Sequence, residues 1–185
     1  MRRARTPSEP TRRGRVAGNK AAAGGAGGAH ALSTHRLMLL EVLLHAADIS
    51  NPIKPWLVYE KWANLVMEEF FQQGDRERAE NLEVSAMYDR ETVDKPTMQV
   101  NFIEFIVAPL YLALLKLCPG LDELIKHLLN NHEKYCAIGL SDLEAAGTPD
   151  SEAIAKMRAR PSKLREKFAS ELGEERVDGS VRTGA

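Results

Sequence analysis

Asp48 closes the apolar run Leu44-His45-Ala46-Ala47-Asp48-Ile49-Ser50-Asn51-Pro52, just before a helix-stopping Asn-Pro pair. The carbonyl-rich end of a helix disfavours a carboxylate. A divalent cation would remove that conflict, so Asp48 is a candidate metal ligand. Its plainer role is an Asx-turn or a cap on the next helix. His45 lies one helical turn earlier and shares the face, but a helical histidine is more often a hydrogen-bonded core residue than a ligand. A metal site ordinarily needs three or more protein ligands, and His127 and His132 fall on different faces. Gln99 and Phe102 form a second constellation, one helical turn apart. An amide and a ring projecting together can read the edge and face of a flat heterocycle. The alternative is that Phe102 is core and Gln99 is solvated. Trp56, Tyr59, Trp62, Phe70 and Phe71 read as a core stripe, and Glu68-Glu69 and Arg76-Glu77-Arg78 as solvated faces.

The elements that must position these residues are all helical. Leu37, Leu40, Leu44 and Ala47 recur at helical spacing from about Thr34, with Ser33 or Thr34 as N-cap. The Asn51-Pro52 pair stops that helix. Pro55 opens a second, which carries Val66 and ends at Gly74 as a C′ residue. A short amphipathic piece follows over 75–83, then a loop over 84–95. Pro96 opens the helix of Gln99 and Phe102, with a kink expected at Pro109. Pro119-Gly120 is a break, and the next helix runs to about Ala137. Residues 139–149 read as a linker. Ser151 caps a charge-rich helix interrupted by Pro161, and the chain from about Gly173 reads as unstructured. No strand periodicity and no repeat is visible, so the expected class is all-α.

The 185 residues suffice for one domain with a real core. A hydrophobic fraction of 44%, a charged fraction of 28% and a net charge of -1 give no global drive toward nucleic acid or anionic membrane. The apolar run from Phe102 to Leu117 is too short for a comfortable span, since about 20 apolar residues are needed. Cys118 and Cys136 make no zinc spacing; a reduced, cytoplasmic compartment is expected. Arg2, Arg3, Arg5, Arg12, Arg13 and Arg15 precede a Gly/Ala-rich stretch with no apolar h-region behind them. No secretory signal is visible; the composition reads as a disordered basic tail, the alternative being an organelle transit peptide, since arginine, serine and alanine are present and acids are few.

Taken together, four motifs resemble a known family. They are Leu44 to Pro52, the run Glu68-Glu69-Phe70-Phe71-Gln72-Gln73-Gly74-Asp75, the loop Ser85-Ala86-Met87-Tyr88-Asp89, and Gln99 to Pro109. In order and spacing they resemble the C-terminal half of the catalytic domain of class I 3′,5′-cyclic nucleotide phosphodiesterases. The resemblance covers about Leu39 to Tyr135 and implies a partial helical bundle. It implies that Asp48 is a zinc ligand, that Gln99 holds the purine edge, and that Phe102 stacks on the ring with Val66 opposite. Asn51, Tyr59, Trp62, Met67, Phe70 and Met87 would line or support the pocket, with Met87 in a mobile flap. The implied chemistry is phosphodiester hydrolysis to a nucleoside 5′-monophosphate, assisted by Zn2+ and Mg2+.

The chain also departs from that pattern. The family's upstream histidine and aspartate motifs, which supply the other metal ligands and the acid histidine, are not found before Leu37. Asn101 stands where a glycine is usual, and Ala86 where a proline is common. The expected organisation is a disordered tail over 1–32, a partial catalytic domain over 33–138, and a linker, charged helix and flexible tail over 139–185. The chain is expected to be a truncated domain with the half-pocket that reads the base, and to be catalytically inert or nearly so. The rival is a regulatory or binding module without hydrolysis. Asn51-Pro52 resembles the cAMP-preferring members, so cAMP is expected over cGMP, with no nucleic acid partner. Exposed apolar stripes would favour self-association.

Overall fold

The computed structural model describes residues 25–118, 120–145 and 150–172. Among them there is no strand, and the expected all-α class holds. Helix α1 spans Gly25–Asp48 and leads into a 3-10 turn at Asn51–Ile53. Helix α2 spans Trp56–Ala79, and α3 spans Lys95–Phe102. A π-helical turn at Ile103–Val107 joins α3 to α4, Ala108–Leu117. Helices α5 and α6 span Asp122–Ala145 and Ser151–Leu172. The chain divides into two units, Met1–Glu41 and Val42–Ala185. In the first, the described residues continue α1 back to Gly25, so neither Ser33 nor Thr34 is an N-cap. The expected disordered tail lies outside the described residues up to 24, and its last residues, 25–32, are helical.

The second unit is built around one apolar run. Val100, Ile103, Val107, Ala108, Leu112, Leu114 and Leu115 are buried along α3, the π turn and α4. They pack with Ile125, Leu128 and Leu129 of α5 and Leu164 and Phe168 of α6. The continuous stretch Lys95–Leu117 is apolar and long enough to cross a membrane. Its partial burial among α5 and α6 marks it as a core helix of this unit. Asp94 caps α3, its carboxylate accepting from the Thr97 N–H at 3.3 Å. Pro109, where a kink was expected, directly follows the π turn and sits in the first turn of α4, where its missing N–H is tolerated.

Three expected boundaries move, each for a tertiary reason. Helix α2 does not stop at Gly74 but runs on to Ala79, absorbing much of the separate piece expected over 75–83. Gly74 is needed because the Tyr88 carbonyl sits where a Cβ would be. Helix α5 runs through Gly139 to Ala145, so the expected linker is helical that far; 146–149 lie outside the described residues. Helix α6 passes through Pro161. Its cap is Asp150 rather than Ser151, with the Asp150 carboxylate accepting from the Glu152 and Ala153 N–H groups at 2.9 and 3.2 Å. The expected tail from Gly173 lies outside the described residues.

What holds α6 in place despite its proline is a part-buried charge cluster. Arg160 donates to both oxygens of Glu104, at 3.0 and 2.8 Å, and also to the Asn101 side chain. The fully buried His132 of α5 donates from Nε2 to the same carboxylate at 2.8 Å. Burial pushes the Glu104 carboxyl up, but the His132 and Arg160 hydrogen bonds and the Arg160 charge outweigh it and hold it down at about 2. Glu104 is therefore bound as an anion in the fold and titrates nearer 4.5 when unfolded. Its contribution is complete above the unfolded value and fades as pH falls through the folded one. Chemical denaturation between pH 7 and pH 2 should show this acid loss. Glu104→Gln should lower stability by about 3 kcal/mol at pH 7 and flatten the acid limb.

Candidate functional site: a buried amide and an exposed carboxylate

Gln99 is one of three buried polar residues among the described ones, with Asn131 and His132. It is only 8% exposed, and the Tyr59 hydroxyl donates to its Oε1 at 2.8 Å. The bond joins α2 to α3 across 40 positions of sequence. Tyr59 is itself locked edge-on against Trp56 and Tyr135, with ring centroids 6.4 and 5.5 Å away. Burial, reinforced by the neighbouring Tyr135, pushes the Tyr59 hydroxyl far above its ordinary range, so it stays a neutral donor. Burial and Glu60 push Tyr135 up to about 12. A fixed donor on one lone pair of Oε1 sets the orientation of the amide. The remaining lone pair and the NH2 group are then free to face an acceptor–donor edge.

The other expected pocket residues sort by burial. Met67 and Tyr59 are buried on α2, and Val66 and Phe70 are half-buried there. Phe102, one turn from Gln99 on α3, is half-buried against the core. Trp62 is 50% exposed, so this member of the expected core stripe stands largely in solvent. Met87 is 56% exposed in the loop between α2 and α3. That loop is held to α2 by Arg78–Asp89 at 2.8 Å, by Arg90–Asp75 at 2.6 Å, and by Tyr88 against Phe70 at 5.1 Å.

Asp48 is exposed at the end of α1, and His45 is exposed as well. Among the described residues no three His, Cys, Asp or Glu side chains are grouped to hold a metal ion. A lone exposed carboxylate does not fit zinc, which takes three or four protein donors. The surface cavity of about 460 Å³ beside α6 and that of about 400 Å³ along α2 are lined by neither Asp48 nor Gln99 nor Phe102. Thus Tyr59 and Gln99 are brought into contact, whereas Asp48 is not gathered with other donors.

Two polar ties were not singled out from sequence. Asn131, wholly buried on α5, donates from Nδ2 to the Pro52 and Lys54 carbonyls at 2.8 and 2.7 Å. This clamps the 3-10 turn that carries Asn51. Tyr111 donates to the Ala46 carbonyl at 2.8 Å and fixes the last turn of α1. Glu104 is a charge inside an apolar run, the kind of signal that points to a buried partner. Asn131 gave no comparable signal, because its acceptors are backbone atoms distant in sequence.

Removing the Tyr59 hydroxyl should leave the Gln99 oxygen buried and unpaired. Tyr59→Phe is expected to cost about 1–3 kcal/mol in urea unfolding, with the far-ultraviolet spectrum unchanged.

Comparison with known proteins gives this arrangement its context. Residues 20–128 match the 3′5′-cyclic nucleotide phosphodiesterase family. The 3′,5′-cyclic-AMP phosphodiesterase 4C of Mus musculus is 44% identical over 101 residues, which are 54% of this chain and 15% of that protein. The cGMP-specific 3′,5′-cGMP phosphodiesterase 3 of Dictyostelium discoideum is 37% identical over 118 residues, 64% of this chain and 25% of that protein. The solved structure of LmjPDEB1 in complex with IBMX is similar with a TM-score of 0.54 at 33% identity, covering 57% of this chain and 32% of that one. The matched segment is thus a quarter or less of the length of these two curated relatives. More than half of the chain falls within the family match, and the chain belongs to the 3′,5′-cyclic nucleotide phosphodiesterase family.

Proposed function

We propose that this chain carries the base-reading part of a cyclic nucleotide phosphodiesterase domain, with cAMP as its preferred ligand. The observation that carries the reading is the buried Gln99 amide held in one orientation by Tyr59. A pre-oriented amide presents its acceptor and donor to a purine edge without the entropic cost of fixing a free side chain. Phe102 then stacks on the base with Val66 opposite. Asn51, Trp62, Met67, Phe70 and Met87 support the pocket from the turn, from α2 and from the loop. The preference for cAMP draws support from the Mus musculus relative, whose name specifies cyclic AMP. A cytoplasmic location fits that reading.

Asp48 is the one residue assigned to metal binding. In a complete domain Asp48 would help hold a divalent cation, and Zn2+ and Mg2+ would supply Lewis-acid chemistry toward a phosphodiester. The donors described here do not make such a site, so hydrolysis is not assigned to this chain alone. It is proposed to bind cyclic nucleotide weakly and to turn it over only when further metal donors are supplied. Purified chain incubated with cAMP, zinc and magnesium should release no AMP, while equilibrium dialysis shows weak cAMP binding that Gln99→Ala abolishes. Turnover lost on Asp48→Ala would contradict this, as would cAMP binding indifferent to Gln99.

Self-association is the second part of the proposal. Leu37, Leu40 and Leu44 are exposed on α1, and Leu57, Trp62 and Leu65 on α2. Large apolar side chains exposed in such number are normally covered by another protein surface. Sizing chromatography with light scattering should show dimers or larger species; a sharp monomer at tens of micromolar would contradict it.

A further inference from the structure

The groove between the π turn and α6 is lined by Asn101, Glu104, Phe105, Leu164, three lysines and Arg160, and encloses about 460 Å³. The α6 wall of this groove lies beyond residue 128, where the family match ends. Lys156, Arg160, Lys163 and Lys167 follow one another at spacings of four, three and four on α6. They form one stripe about 16 Å long at the helical rise. Against them the lining holds a single carboxylate, Glu104, which Arg160 already grips. Lys156 pairs with Glu152 at 2.6 Å. Lys163 and Lys167 enter no ion pair among the described residues, although Lys167 is near enough to Glu171 to help keep that carboxyl ionised.

Phe105 stands at the rim, 72% exposed. The π turn places it there, because Ile103 and Val107 take the buried side of that turn. π turns recur at functional sites. An exposed ring and a buried Leu164 floor suit an apolar anchor, and the flanking cations suit acidic groups. A compact anion would meet only the lysine pair of one turn, whereas the stripe extends over three. A nucleic acid strand is disfavoured by the lone aromatic and the net charge of -1.

We propose that this groove docks an acidic peptide segment of a partner protein, with carboxylates on Lys163 and Lys167 and one apolar side chain against Phe105 and Leu164. The probe is a fluorescein-labelled peptide with glutamates at spacings of four, three and four and one central phenylalanine, titrated with the full chain by anisotropy. Saturable binding is expected. It should weaken at least tenfold in Lys163→Glu/Lys167→Glu and several-fold in Phe105→Ala, with circular dichroism and sizing profile unchanged in both variants. A glutamine-for-glutamate peptide should not bind. The proposal is overturned by no binding, by equal binding to the charge-reversed variant, or by equal binding of poly-glutamate without the aromatic. A single-stranded oligonucleotide that binds tighter than the peptide and competes with it would overturn it in favour of a nucleic acid.

Discussion

The hydrogen bond from the Tyr59 hydroxyl to the Gln99 oxygen is the constraint on which the site depends. It is buried, 2.8 Å long, and joins two helices that are otherwise separated by a long exposed loop. A buried amide oxygen left unpaired is costly, so the register of α3 on α2 is fixed by this contact as well as by packing. The edge-on contacts of Tyr59 with Trp56 and Tyr135 transmit that constraint to α5. Lys134 completes the group, lying 4.9 Å from the Trp56 ring centre. The same contact that stabilises the fold therefore fixes the orientation of the Gln99 amide.

Helix α5 acts as the spine of the second unit through two hydrogen-bonding side chains and one aromatic contact. Asn131 holds the turn after α1, His132 holds Glu104, and Tyr135 holds Tyr59 in place. Arg160 then fastens α6 to the same carboxylate. Cys136 fills space beside His132, and burial pushes its thiol up to about 12, which suits an inert core residue rather than a nucleophile. This polar spine serves packing and positioning and supplies no reactive group. Chemistry on a phosphodiester would need donors other than the exposed Asp48.

Much of this was legible in the sequence where local rules act alone. Pro96 at a helix start, the Asn51-Pro52 stop and the apolar spacing of α3 and α4 all appear as read. Glycine and proline misled where tertiary contacts decide. At Gly74 a helix end and a close backbone approach call for the same residue, and only the position of Tyr88 tells them apart. At Pro161 the ion pairs of Arg158, Arg160 and Arg165 and the burial of Met157, Leu164 and Phe168 carry α6 past a lost hydrogen bond. The motif reading singled out Gln99, whose burial against Tyr59 the structure adds, but it could not reveal that Trp62 and Asp48 face solvent. Exposure depends on what packs over a face, and periodicity does not encode that.

The most direct measurement is the side-chain amide resonance pair of Gln99, assigned in 15N-labelled protein and followed during cAMP titration. Saturable shifts of that pair, absent in Tyr59→Phe protein that remains folded, are what an oriented base reader requires. A Gln99 amide that stays unmoved while other resonances report cAMP binding would place the nucleotide elsewhere and contradict the account.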